Sequence, residues 1–155
     1  MSDATAATGR TTRLSREIIV AAVVELLESG GVDAITTRTV GEALQVHPTA
    51  VYRHFRDMDE VMREAADHIL EGLADTPSVT KPERAFDAVA LLCSRLRETL
   101  IAHPGAARVM ASGPSRKQYE GRLTERLLQL LLFAGLSDAD GALAYHALIE
   151  YTVGS

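Results

Sequence analysis

Apolar positions recur along most of the chain at intervals of three and four residues, the period of a helix with one buried face. Over 16–29, Ile18, Ile19, Ala22, Val23, Leu26 and Leu27 form a wide stripe that Ser15 can cap and Gly30-Gly31 closes. A short amphipathic segment opens at Thr36, with Ile35 placed as a hydrophobic staple and Val40, Ala43 and Leu44 on the apolar side. Gly41 in that segment removes a side chain where a neighbouring helix can pass closely. The pattern breaks at Gln45-Val46 and resumes after His47, because Pro48 is preset for a first helical position. The resumed segment exposes Thr49, Ala50 and Arg53 while Val51 and Phe55 turn the other way. The helix at 16–29 is expected to pack over Val40, Leu44, Val51 and Phe55.

Further along, Asp57 and Glu60 have the spacing of a capping box, and Val61, Ala65, Ile69, Leu70 and Leu73 carry a helix expected to end near Asp75, before Thr76-Pro77. Thr80 and Glu83, with Pro82 between them, predict a second capping box and a long helix through Phe86, Val89, Cys93, Leu96 and Leu100. That helix stops at His103-Pro104. A short helix at 104–111 follows, then a Leu-rich one at 115–133, and a last one capped by Ser137 through Ala139, Leu143, Ala147, Leu148 and Tyr151. The fold class is therefore all-α. The expected organisation is an arm at 1–13, a helix-turn-helix unit at 14–56, a connector helix at 57–75 and a helical domain at 80–155.

Composition agrees with closely packed helices, since aromatics make up only 5% of the chain, there is no Trp, and strand formers rarely alternate. The single Cys93 cannot form an internal disulfide and suits a reducing cytoplasm. No basic start with an apolar core marks a signal peptide, and no run of about twenty apolar residues predicts a membrane span. The five His residues (47, 54, 68, 103, 146) follow no metal spacing, and neither a Gly-rich phosphate loop nor a nucleophile elbow occurs. No metal, cofactor or enzymatic activity is expected.

Net charge is −5, which at first argues against a nucleic-acid partner. The charge is uneven, however. Residues 1–56 hold six Arg against six acidic residues, and the remaining ten basic and fifteen acidic residues carry the whole excess. The relatively positive end thus coincides with 36–55, where two short helices joined by a tight turn form a helix-turn-helix, whose second helix enters the DNA major groove. Arg38, Pro48, Thr49 and Arg53, with His47 at the mouth, make up the groove-facing set. Arg38 or Arg53 can pair bidentately with guanine, and a methyl of Thr49 or Ala50 can pack on thymine. The arm at 1–13 reads equally as a basic tail or as a solvated terminus.

The ordered string ITTRTVGEALQV-HPTAVYRHF-RDMDEVM resembles the TetR family of bacterial transcriptional regulators. The resemblance implies phosphate contacts from Thr37, Tyr52 and His54; as a residue, Tyr52 also reads as a half-buried core aromatic. It implies a homodimeric repressor on operator DNA, released when a small hydrophobic or amphipathic effector tilts the connector helix. Its pocket would draw on Phe86, Val89, Cys93, Leu96, Met110, Tyr119, Leu123, Leu127, Tyr145, His146 and Ile149, although for each residue taken separately ordinary core packing is the better reading. Two positions depart from the family pattern: Met58 stands where a phosphate-binding Lys is common, and Gln45 replaces the usual turn Gly. Family members usually run on past the position of Ser155, so a short or truncated chain is expected. The rival reading is a ligand-binding or scaffold protein of the same fold with weak or no DNA binding.

Overall fold

The computed structural model describes residues 13–113 and 117–154, and among them it is helical without strands. The arm expected at 1–13 lies outside the described residues except for Arg13, as does the expected start of a helix at Ser115. Helix α1 (Arg16–Gly30) begins where the Ser15 hydroxyl accepts the Ile18 amide at 3.4 Å, and ends at Gly31 with φ +71°. After a 3-10 turn at Val32–Ala34 comes α2 (Thr37–Leu44). Thr36 and Thr39 close a reciprocal capping box, each hydroxyl accepting the other's amide at 3.1 and 2.9 Å. That arrangement satisfies two amides that have no partner inside the helix.

Ala43, expected on the apolar side of α2, is exposed; Val40 and Gly41 are the buried pair. The reason lies in the chain that crosses there. A Cβ on Gly41 would meet the Val46 carbonyl oxygen at 3.0 Å and Pro48 Cα at 3.1 Å, so the packed face centres on the glycine. Gln45, with φ 55° and ψ 39°, is the one left-handed non-glycine residue among those described, and it turns the chain sharply into the next segment.

That next segment, Pro48–Arg53, is a 3-10 helix rather than an α-helix. Bonds from Ala50 N to His47 O (2.8 Å) and from His54 N to Val51 O (3.0 Å) give it three residues per turn. The period sorts its side chains. Val51 is buried with Pro48 and His54 half-buried beside it, while Thr49, Tyr52 and Arg53 are exposed. We call Pro48–Arg53 the reading segment.

Helix α3 (Met58–His68) starts at Asp57, whose carboxylate accepts the Glu60 amide at 2.8 Å. The return bond of the expected capping box falls one residue early, Glu60 accepting the Arg56 amide at 2.8 Å. The α-helix also ends before Asp75. From Ile69 the chain continues as hydrogen-bonded turns, because Gly72 takes φ +75° and Leu70 and Leu73 must both reach a second core. The Thr80–Glu83 capping box does not form. Thr80 is exposed, and a 3-10 turn at Pro82–Arg84 leads into α4 (Ala85–Ala102) without a side-chain cap. Then follow α5 (Pro104–Ala111), α6 (Gln118–Phe133) and α7 (Asp138–Gly154), the last opened by the Ser137 hydroxyl accepting the Asp140 amide at 3.2 Å.

Two clusters of buried side chains organise these elements. The first joins Ile19, Val23, Val40, Val51, Phe55 and Val61 from α1, α2, the reading segment and α3. The second joins Leu70, Leu92, Leu96, Leu127 and Leu130 from the end of the connector, α4 and α6. Each such side chain contributes about 1.5–3 kcal/mol on burial. Helix α5 belongs to both, with Ala106 and Val109 in the first core and Met110 packed against each. Gly105 permits this closeness, since a Cβ there would stand 3.0 Å from the Leu27 carbonyl oxygen, and Arg108 adds an ion pair to Asp33 at 2.7 Å.

Candidate nucleic-acid interface

The reading segment and the start of α2 present one polar surface, and the buried side chains beneath them decide which residues show. With Val51 fully buried and Phe55 2% exposed, the intervening Tyr52 is thrown outward to 49% exposure. That is far from a core aromatic. Thr49 and Arg53 are exposed beside it, and Ala50 is half-buried. At the mouth, exposed His47 caps the segment. Its Nδ1 accepts the Thr49 amide at 3.4 Å and lies 2.8 Å from the Thr49 hydroxyl.

From α2, Thr37 is half-buried in the first turn and Arg38 is exposed, its Nε donating to Glu42 at 2.8 Å. The Glu42 carboxylate holds the Arg38 guanidinium above its ordinary pKa. The structure thus brings Thr37, Arg38, His47, Pro48, Thr49, Ala50, Tyr52, Arg53 and His54 onto two adjacent short elements and the caps of the second, with Pro48 and His54 on the inward line. Met58 is half-buried against the first core. The cation nearest in sequence is the exposed Arg56, paired with Asp57 at 2.8 Å. Its guanidinium, followed by the Glu60 amide, holds the Asp57 carboxyl below the usual range.

The sequence did not single out Arg16, yet it fixes this surface from behind. Its guanidinium stacks 4.0 Å from the centroid of the Phe55 ring, and one Nη donates to the His54 carbonyl. The other Nη reaches Glu64 at 2.6 Å and Glu60 at 3.2 Å. Both carboxyls lie below their ordinary range. At Glu64, partial burial works upward and the bonds from Arg16 and Lys117 outweigh it; at Glu60 the Arg56 amide and then Arg16 draw it down. The legible signal was the run Glu60, Glu64, Asp67, whose four- and three-residue spacing puts three acids on one face of α3.

The eleven residues expected around a pocket are dispersed. Leu96, Leu123 and Leu127 are buried in the second core. Phe86, Val89 and Cys93 line an almost wholly apolar groove of about 490 Å³ between α4 and α7. Burial pushes the Cys93 thiol pKa up, so it is a poor nucleophile. Met110, Tyr145, His146 and Ile149 line a groove of about 460 Å³ among α5, α6 and α7. Tyr119 lies apart, against α1 and α3, with its hydroxyl donating to Glu71 at 3.0 Å. Among the described residues no group of three or more His, Cys, Asp or Glu could hold a metal ion, and no helix is long and apolar enough to cross a membrane.

The chain is similar to known proteins over both of its segments. Residues 19–65 match the family model described as bacterial regulatory proteins, tetR family, and residues 81–155 match the tetracyclin repressor-like C-terminal domain. An HTH-type transcriptional regulator of Saccharopolyspora erythraea is 32% identical over 142 residues, 92% of this chain and 59% of its own length. The tetracycline repressor protein class C of Escherichia coli is 31% identical over 146 residues, 92% of this chain and 65% of its own length. The chain therefore spans roughly three fifths to two thirds of these relatives. Among solved structures, BioQ with its natural double-stranded DNA operator superposes with a TM-score of 0.76 at 31% identity, covering 92% of this chain and 83% of that one. Both segments, their relatives and the head formed by α1, α2, the reading segment and the start of α3 (residues 14–60) agree that the chain is a member of the TetR family of bacterial regulatory proteins.

Proposed function

We propose that the protein is a cytoplasmic transcriptional repressor that binds operator DNA as a homodimer through the reading segment and α2. One observation carries the reading: Tyr52, Arg53, Thr49 and Arg38 are exposed together over the fully buried Val51 and Val40. A relative of the same fold is known with its DNA operator, which supports a duplex as the partner. In this reading Thr37, Tyr52 and His54 meet phosphates, and Arg38 and Arg53 read base edges. Arg56 and the first-turn amides of α3 stand in for the missing Lys.

The dimer is supported by α7, which packs Ala144, Leu148 and Val153 on the second core yet leaves Leu143 70% and Tyr151 75% exposed. A helix of that kind is normally covered. For the effector we favour the groove of Met110, Tyr145, His146 and Ile149. It mixes apolar walls with polar groups, and it abuts α5, the helix that also packs on the head.

The test uses a duplex enriched by the protein from a randomised pool. Arg53→Ala should weaken its binding about tenfold or more, as expected for losing a base contact, and Tyr52→Phe should weaken it by a smaller factor. If neither change matters, this surface is not the DNA contact. The rival reading, a ligand-binding or scaffold protein, draws on the net charge of −5 and on Met58; failure to enrich any duplex at low salt selects it.

A further inference from the structure

The head and the C-terminal half meet along the acidic face of α3, where Glu60, Glu64 and Asp67 succeed one another. Glu60 and Glu64 are each met both by Arg16 of α1 and by Lys117, which precedes α6. Glu64 takes Arg16 of α1 at 2.6 Å and Lys117 at 3.2 Å, and Glu60 takes Arg16 at 3.2 Å with Lys117 at 3.9 Å. Two cations against two carboxylates leave this quartet balanced. One turn further, Asp67 is 4% exposed and accepts the Tyr119 amide at 3.1 Å and the Glu120 amide at 2.7 Å. Those amides belong to the first turn of α6, where a helix has no internal partners for them. A side chain of α3 therefore caps α6, while Lys117, the residue before α6, neutralises the carboxylates that hold Arg16.

We propose that the N-terminus of α6 is latched to α3 by Asp67 and Lys117, and that Lys117 is a positioning residue for DNA contact. It does so by balancing Glu60 and Glu64, so that Arg16 stays on the His54 carbonyl and the Phe55 ring and fixes the pose of Tyr52 and Arg53. Without Lys117 the two carboxylates share a single cation and repel each other. One of them then turns to solvent, and Arg16 loses part of the frame that aims it at His54. The inference rests on reading the Pro48–His54 surface as the DNA contact.

The experiment compares Lys117→Met, which keeps length and apolar stem, with Lys117→Arg, which keeps the charge. Binding to the enriched duplex is read by fluorescence anisotropy, and backbone amide exchange by mass spectrometry without DNA. The expected result for Lys117→Met is binding weakened by about three- to tenfold, with faster exchange confined to residues 52–56. Lys117→Arg should restore both. Wild-type affinity and exchange in Lys117→Met overturn the proposal. So does faster exchange spread evenly over both cores and left unrescued by Lys117→Arg, which marks a merely structural lysine. Arg53→Ala serves as the control. If it leaves binding unchanged, the reading of the surface fails, while the exchange result still decides the latch.

Discussion

At the scale of single residues, the turn between α2 and the reading segment depends on two positions with opposite tolerances. Gly41 has backbone atoms of Val46 and Pro48 at 3.0 and 3.1 Å from where a Cβ would stand, and backbone cannot swing aside as a side chain can. Gly41→Ala should therefore destabilise the protein by about 1–3 kcal/mol, read as a lower thermal midpoint by circular dichroism. Gln45 holds φ 55° without being glycine, at a conformational cost of about 1 kcal/mol. Gln45→Gly should relieve most of it and raise the midpoint by about 2–4 °C. Both positions were legible in the sequence, Gly41 as an oddity inside a helix and Gln45 as a side chain where a turn wants none. Ala43 was not, because the face of a two-turn helix is set by what crosses it, and here that is Pro48.

At the scale of elements, the existence and order of the helices followed from apolar spacing, while several ends did not. The connector stops as an α-helix at His68 because the next residues serve a different core: Leu70 and Leu73 turn into the second cluster, and Gly72 supplies the positive φ that this requires. No local pattern announces such a change of allegiance. The Thr80–Glu83 spacing was a capping signal overridden by the 3-10 turn that Pro82 begins. The joint between head and C-terminal half likewise escaped detection, since Arg16 and Lys117 are distant in sequence from the acids they meet on α3.

That joint has a pH consequence. Glu60 and Glu64 are held below the ordinary carboxyl value in the fold, so unfolding lets them bind protons more readily. Their contribution is fully present above the ordinary value of about 4.3 and is lost as pH falls through the lower folded values. Thermal midpoints measured downward from pH 6 should fall below about pH 4.3, and Glu64→Gln should flatten that decline; a parallel decline in the variant would assign it to other carboxyls.

At the scale of the whole molecule, two cores share α5, and α7 lies on the outside with large apolar side chains uncovered. If a second copy covers α7, sedimentation should show a dimer, and Leu143→Lys with Tyr151→Lys should shift it to monomer without unfolding either core. The charge is arranged to match. The net −5 resides beyond residue 56, leaving residues 1–56 neutral, so in the proposed reading attraction to DNA draws on local cations such as Arg38, Arg53 and Arg56. DNA binding through Arg38, Arg53 and Arg56 is therefore tested most directly by the affinity for the enriched duplex as a function of salt. Binding at low salt should weaken steeply as salt rises, with a logarithmic slope of about −0.9 per phosphate contacted, made shallower by about one such step in Arg56→Ala. Absence of binding at low salt, or an affinity indifferent to salt, would contradict it.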